Sequence, residues 1–414
     1  MPIEKTISSA ILTAIRSRRH SHSPANEEGE KHAGRAVASV KLREAKFSDF
    51  KAVEELKQRG RLATDSFENW ERLWRNNPAV TNAKTVYPIG WVLEAGTSIV
   101  GYLGNIVLQY RFGNRALTAA TSHGLVVDPG YRFGAMSLVS AYFRQRSVDL
   151  FLTTTAIESV GKISRSFKSI TLPQPEYESV LFWVLKPRSF AQAVVRKMAL
   201  NSILARTGEI VISALVAGDK FLRRRWPQPP SPCISVEEIE LDQIGDEFET
   251  LWNESYSERT QLLADRSPRV LRWHFEMPGD KGSVSVLCCR RNGELGGYAV
   301  LRHEPPTHES GLRRSILADS LARNDDPQIL AALWAAAYQQ AKQAGSHIFE
   351  VLGFPPNIRR VCSRWRPYVR RYPACPFYYK AADPALHETL SDGAAWYATP
   401  FDGDTTLWNF GVSS

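Results

Sequence analysis

The residues best suited to chemistry lie between two apolar runs. Residues 125 to 139 read LVVDPGYRFGAMSLV: a strand, a turn opened by Pro129, and a helix whose first residues are small. A helix N-terminus carries unpaired backbone N–H groups and a partial positive charge, so main chain alone can bind an anion such as pyrophosphate there. Gly130, Gly134, Ala135 and Ser137 leave a phosphate room to approach, and Pro129 fixes the strand exit while removing a donor that would lack a partner. A tightly packed turn uses similar residues, so composition at the turn leaves both uses open.

A second stretch with chemical potential is NIRRVCSRWRPYVRRYPACPFYYK at 357 to 380. There Arg359, Arg360, Arg364, Arg366, Arg370 and Arg371 alternate with Trp365, Tyr368 and Tyr372. Such mixing suits an anionic polymer, a nucleic acid strand or a sugar phosphate, and equally a solvated face of stacked arginines. Asp402 and Asp404 flank Gly403 in TPFDGDTTLW, which is weak evidence for a metal site and reads more readily as a turn. The five cysteines have spacings of neither a zinc site nor a disulfide framework, which points to a reducing cytoplasm. A net charge of +9 favours anionic partners without choosing among nucleic acid, anionic lipid and phosphate-bearing cofactors. No run approaches the ~18 consecutive apolar residues of a membrane span.

The elements that must position these residues follow from periodicity. Residues 1 to 36 read as a flexible tail in which Ile7, Ile11 and Ile15, followed by Arg16, Arg18 and Arg19, allow one basic amphipathic helix and peripheral membrane contact. VKLREAKFSDFKAVEELKQR, from Val40, is a strand and then a helix with Phe50, Val53 and Leu56 on one face. IGWVLEAGTSIVGYLGNIVLQY is a hairpin turning at Ala95 and Gly96. LTAATSHGLVV is a strand leading into the turn, a helix runs to about Arg146, and DLFLTTTAI is a buried strand. The order recurs after residue 233: Val40 and Val236, like Gly101 and Gly297, are 196 positions apart. Between the copies, 189 to 232 is helix-prone and apolar, then basic, then proline-rich.

The turn resembles the acyl-CoA-binding signature of the GNAT N-acetyltransferases, a Val-x-Pro followed by Arg or Gln-x-x-Gly-x-Gly or Ala. Here it reads Val127-Asp128-Pro129 and then Arg132-Phe133-Gly134-Ala135-Met136-Ser137, with Ala135 and Ser137 where the signature has glycines. The opening strand and helix and the IVGY of the hairpin also resemble that family, so the likeness covers 40 to about 170.

The resemblance implies a fold class α/β, of the α+β kind. It implies two GNAT-like domains at 37–188 and 233–414, each a mixed, mostly antiparallel twisted sheet flanked by helices, the second degenerate, with 189–232 as linker. It implies that Val126, Val127 and the main chain of Arg132, Phe133, Gly134, Ala135, Met136 and Ser137 hold acetyl-CoA or another acyl-CoA, with no metal. The acceptor would be an amine on a small molecule or a cell-envelope or polysaccharide precursor, and nucleic acid is not favoured. The general base would be His123, in alternation with Leu125 and Val127, or Glu94. The helix ESVGKISRSFKSI lacks the tyrosine that often returns a proton to the thiolate, leaving water, Tyr131 or Tyr142. In the second copy, ARNDDPQILAALW places two aspartates where a phosphate would sit. Two rival functions are an aminoacyl-tRNA-dependent transferase of the peptidoglycan type and a non-catalytic binding protein of the same fold.

Overall fold

The computed structural model describes residues 39–81, 83–198, 202–227, 234–279, 282–306, 310–371 and 376–408. The tail with its isoleucine pattern lies outside them, as does the proline-rich stretch 228–233.

Apolar runs punctuated by tight turns build two sheets. The first half contributes β1 (Val40–Glu44), β2 (Gly90–Ala95), β3 (Ser98–Phe112), β4 (Arg115–Val127), β5 (Leu150–Thr153), β6 (Ile170–Thr171) and β7 (Ser179–Val184). The second contributes β8 (Ser235–Ile239), β9 (Leu262–Ala264), β10 (Val284–Arg291), β11 (Glu294–Glu304), β12 (Arg314–Ala322), β13 (Ile348–Val351), β14 (Tyr368–Arg371) and β15 (Tyr378–Ala381). The hairpin joining β10 to β11 turns at Asn292 and Gly293, both at positive φ, as a two-residue loop that follows strand twist requires.

The sheets exchange strands. One runs β1-β2-β3-β4-β5-β15-β6 with β9 against the far end of β3, and the other runs β14-β7-β13-β12-β11-β10-β8. Each therefore has five strands of its own half, then one from the other half, then a short strand of its own. Among the described strands of each sheet, the only parallel pair is the fourth with the fifth, β4 with β5 and β12 with β13. Phe182 and Trp183 of β7 are wholly buried in the second sheet, and Tyr379 of β15 in the first.

Helices cover both faces. Helices α1 (Phe50–Arg59) and α2 (Phe67–Trp74) lay Val53, Leu56, Trp70 and Leu73 on the face of the first sheet that carries Tyr102 and Ile106. That core continues without a break into the second half as far as Leu407. On the opposite face, α3 (Ala135–Phe143) packs Leu138, Val139 and Tyr142 against Trp91, Leu93 and Phe151. The segment between the copies forms α4 (Pro187–Lys197) and α5 (Ser202–Leu222), whose Phe190, Val194 and Val216 cover Phe182 and Ile348 of the second sheet. The counterpart of α3 in the second half is α6 (Pro327–Gln343).

Candidate active site

The site begins where β4 parts from β5. Only Ala119, Ala120 and Thr121 pair with Leu150, Phe151 and Leu152. A side-chain bond from Ser122 Oγ to Thr153 Oγ1 at 3.0 Å follows, and among the described residues no further backbone pair joins these strands. On its other edge β4 carries a bulge: Gly104 faces His123 and Tyr102 faces Val126, so Gly124 and Leu125 together oppose Leu103. Gly124 sits at φ +66, the left-handed conformation that lets a strand absorb an extra residue. The bulge breaks the alternation expected from the sequence. Leu125 and Val127 turn toward the Trp91 and Leu93 side, while His123 stays on the face shared with Val126 and α1.

Beyond β4 the chain enters a turn of 3-10 helix, Pro129–Gly134, that runs directly into α3. Ala135 has φ −57 and ψ −37, so its side chain costs no backbone strain. Gly134 serves packing: a Cβ there would lie 2.5 Å from Leu93 Cδ1. Gly130 has open space around it, and Arg132, Phe133, Met136 and Ser137 are exposed. Asp128 does not cap this N-terminus; its carboxylate is taken by Arg59, whose Nη2 lies 3.0 Å from Oδ2. Beside the turn is a pocket of about 470 Å³ lined by Glu55, Arg59, Ser98, Val100, Asp128 and Tyr131. The equivalent N-terminus in the second half is closed. There Asp326 accepts from the backbone N–H of Gln328 at 2.8 Å and of Ile329 at 3.3 Å, filling with its own carboxylate the place a phosphate would need.

At the parted end lies a buried set of charges. His123, 1% exposed, has Nδ1 3.1 Å from Asp404 Oδ2 and Nε2 3.9 Å from Asp65 Oδ2, and its ring packs at a tilt against Trp408 with centroids 4.1 Å apart. Asp404 also accepts from Thr154 Oγ1 at 2.6 Å, Thr155 Oγ1 at 3.1 Å and Trp408 Nε1 at 2.9 Å. Asp65 accepts from Lys57 Nζ at 2.8 Å and Asn69 Nδ2 at 2.6 Å, and Lys57 also pairs with Glu54 at 2.7 Å. Burial alone would lower the pKa of His123, but the hydrogen bond with Asp404 and the negative charges of Asp404 and Asp65 outweigh it and hold it above 6.5. Lys57 follows the same logic: burial opposes its charge, and Asp65 and Glu54 restore it and push the pKa up. Burial likewise works against the carboxylate of Asp65, yet Lys57 and His123 bring its pKa well below the usual range. His123 Nε2 and the hydroxyls of Tyr102 and Thr121 are buried without a hydrogen-bond partner.

The remaining expected residues are dispersed. Glu94 is half-buried on β2 and accepts from Arg43 Nε at 2.6 Å. Tyr131 lines the pocket, and Val126 packs on the α1 side. Tyr142 is wholly buried and holds the strands at their point of separation, donating to Ala120 O at 2.7 Å and accepting from Leu152 N at 3.1 Å. Sequence reasoning missed Lys57, Asp65, Asp404, Thr154, Thr155 and Trp408. For Lys57 there was a signal, its place four residues after Val53 on the apolar stripe of α1. For Asp404 there was none.

The second half keeps this geometry with other chemistry. Asp319 faces Val300 as His123 faces Gly104, each pair offset by the same 196 positions. Arg266 holds Asp319 through Nε at 2.9 Å and Nη2 at 3.0 Å, and Tyr298 donates to it at 2.8 Å. The turn around Gly403 serves both halves. Asp402 lies 3.7 Å from Arg266 while Asp404 reaches His123.

Comparison with solved structures places this architecture in a class. The chain aligns over 83% of its length with 73% of a GCN5-related N-acetyltransferase from Anabaena variabilis, at 10% identity and a TM-score of 0.54. It aligns over 83% with 72% of a probable N-acyltransferase from Enterococcus faecalis, at 8% identity and a TM-score of 0.54. It also aligns over 86% with 82% of Saccharomyces cerevisiae N-myristoyltransferase, solved with myristoyl-CoA bound, at 13% identity and a TM-score of 0.53. The fold is that of the GCN5-related N-acetyltransferases, as the turn at 127–137 led us to expect, and its class is the expected mixture of mostly antiparallel sheets and helices. No protein-family description matches the chain, and no curated protein does.

Proposed function

We propose that this chain is an N-acyltransferase that takes an acetyl or other acyl group from CoA and transfers it directly to an amine. One contrast carries the reading: the helix after β4 opens on exposed, uncapped turn residues, while its counterpart in the second half is filled by Asp326. Acyl-CoA would lie along the unpaired edge of β4 at Val126 and Val127. Its pyrophosphate would rest on the main chain from Gly130 through Arg132, Phe133, Gly134, Ala135, Met136 and Ser137, with Tyr131 at the mouth.

The chemistry conserves its atoms simply. The amine nitrogen bonds to the thioester carbon, the C–S bond breaks, and the thiolate leaves and takes up a proton, while the nitrogen sheds one. His123, oriented by Asp404, would receive the proton shed by the amine, and a main-chain N–H of the unpaired β4 edge would steady the oxyanion. Tyr142 would act by fixing the parted strands and Glu94 by anchoring Arg43. The acceptor class is a small-molecule amine or a cell-envelope precursor, and a cytoplasmic setting accords with a CoA donor.

Titration calorimetry of acetyl-CoA, a long-chain acyl-CoA and desulfo-CoA into the full chain tests this. Gly130→Trp blocks the turn from open space, whereas Gly134 is needed for packing. We expect micromolar binding by the wild type that is lost in Gly130→Trp with its melting temperature unchanged. Absence of heat with every CoA species would sink the proposal. Transfer that depends on aminoacyl-tRNA would replace it with the tRNA-dependent reading.

A further inference from the structure

The chain's positive charge is not spread evenly. Residues 187–226, which include α4 and α5, hold eight Arg and Lys against two carboxylates, and 357–371 hold six Arg and none. Those two segments alone exceed the net +9 of the whole chain. Both carboxylates of the first segment are occupied: Glu209 by Arg188 at 3.1 Å and Gln192 at 2.8 Å, Asp219 by Arg223 at 2.9 Å and Arg225 at 2.6 Å.

The segments are also joined. Arg225 stacks over the Tyr368 ring at 4.1 Å and donates to the Arg366 carbonyl, and Tyr368 donates to Asp219 at 2.5 Å. The end of α5 is thereby fixed beside β14, the edge strand of the second sheet. While Val216 is buried, the outer side of α5 leaves Ile210, Val211 and Leu215 in solvent, and at its end Phe221 is 75% and Leu222 81% exposed. Val369 on β14 is 60% exposed, between the exposed Arg366 and Arg371. No described helix is long and apolar enough to cross a membrane.

We propose that this face docks on an anionic lipid surface, with the outer side of α5 and the Phe221–Leu222 tip in the headgroup region and the exposed Arg360, Arg364, Arg366 and Arg371 against lipid phosphates. Charge complementarity selects this occupant. A second copy would bring like charge against like, and so would the chain's own N-terminal segment, with Arg16, Arg18 and Arg19. A nucleic acid would use the arginines but leave the aliphatic stripe of α5 in water. A helix with an apolar face flanked by basic residues lies in the plane of a bilayer surface and prefers anionic lipid. The inference does not depend on the acyl-transfer reading.

The test is flotation of the full chain with vesicles of phosphatidylcholine alone and of phosphatidylcholine with phosphatidylglycerol. Phe221→Ser/Leu222→Ser and Arg364→Glu/Arg371→Glu alter only exposed side chains, and thermal melts confirm that each variant folds. We expect binding to the anionic vesicles only, weakened about tenfold or more in the first variant through lost apolar contact. Each basic residue at an anionic surface is worth about fivefold, so the second variant should weaken binding more than tenfold. Equal binding to both vesicle types, or full retention by both variants, would overturn the proposal, the latter assigning binding to the unchanged segment before residue 39. So would a dimer that Phe221→Ser/Leu222→Ser dissociates. RNA binding abolished by Arg364→Glu/Arg371→Glu, without vesicle binding, would assign the face to nucleic acid instead.

Discussion

Asp404 Oδ2 stands 3.1 Å from His123 Nδ1, a contact that spans 281 positions of sequence and brings the closing turn of the chain to the parted end of β4 and β5. Because this carboxylate and Asp65 overcome the effect of burial, the imidazole titrates above 6.5. If His123 takes the amine proton, kcat/KM rises with pH through that raised value. Asp404→Asn should move the rise to lower pH, since burial then acts with less opposition. His123→Gln should cost about a hundredfold in kcat, the lower end of what a positioned base supplies. A pH–rate profile of wild type and both variants is the check, and an unmoved profile in Asp404→Asn would remove His123 from the reaction.

The same group sets a pH window for stability. A pKa raised on folding gives stability that is fully present below 6.5 and lost as pH rises through the folded value. Asp65 works in the other direction: its pKa is depressed, so its contribution is present above 3.8 and lost as pH falls. Urea midpoints measured across pH should fall at both ends, and the alkaline decline should shrink in His123→Gln.

Lys57 has no exposed side-chain surface and answers both Asp65 and Glu54. Lys57→Met keeps the volume but leaves two buried carboxylates without their cation, at a cost of about 3–5 kcal/mol. Lys57→Met/Asp65→Asn should cost less than the sum of the single changes in urea unfolding, and strict additivity would show that the pair is not coupled.

Gly134 and Leu93 make a steric pair. Gly134→Ala forces a methyl group to 2.5 Å from Leu93 Cδ1 and should destabilise by about 1–3 kcal/mol. Trimming the partner in Gly134→Ala/Leu93→Ala should recover at least about 0.5 kcal/mol relative to additivity. A fully neutral Gly134→Ala would mean that α3 shifts on β2 more freely than this packing allows.

The exchanged strands bind the halves into one folding unit. Residues 37–188 and 233–414, expressed separately, should each lack a cooperative melt, and mixing them should restore one. Chain cleaved between Pro227 and Ile234 should elute from a sizing column as a single species. Independent melting of either half would show that its sheet closes without the borrowed strand.

What the sequence could and could not convey divides along the range of the interactions. The two hairpins, the turn at 127–137 and the 196-residue offset are local patterns, and the register of His123 with Gly104 and of Asp319 with Val300 keeps that offset in three dimensions. The bulge at Gly124 was visible only as a glycine in a strand, and its effect on the facing of Leu125 depends on pairing with β3. The place of β7 beside β13 and of β15 beside β5 depends on partners far along the chain, which no periodicity encodes. Asp404 looked like a turn residue because it is one; its second task is conferred by Thr154, Thr155 and His123. Gly134 looked like room for phosphate, and its neighbour Leu93 decides otherwise.

The crossing of β15 into the first sheet also fixes the order of events during synthesis. The free edge of β5 takes Leu150 through Thr153 into pairing with Tyr378 through Ala381, residues translated only after both helices of the connecting segment and nearly all of the second half. At ~5–20 residues per second the nascent chain carries that uncovered edge for ~10–50 s. An open strand edge is a template for pairing with other chains, so the span between translation of β5 and arrival of β15 is the interval in which pairing with another chain competes with the native closure of this sheet.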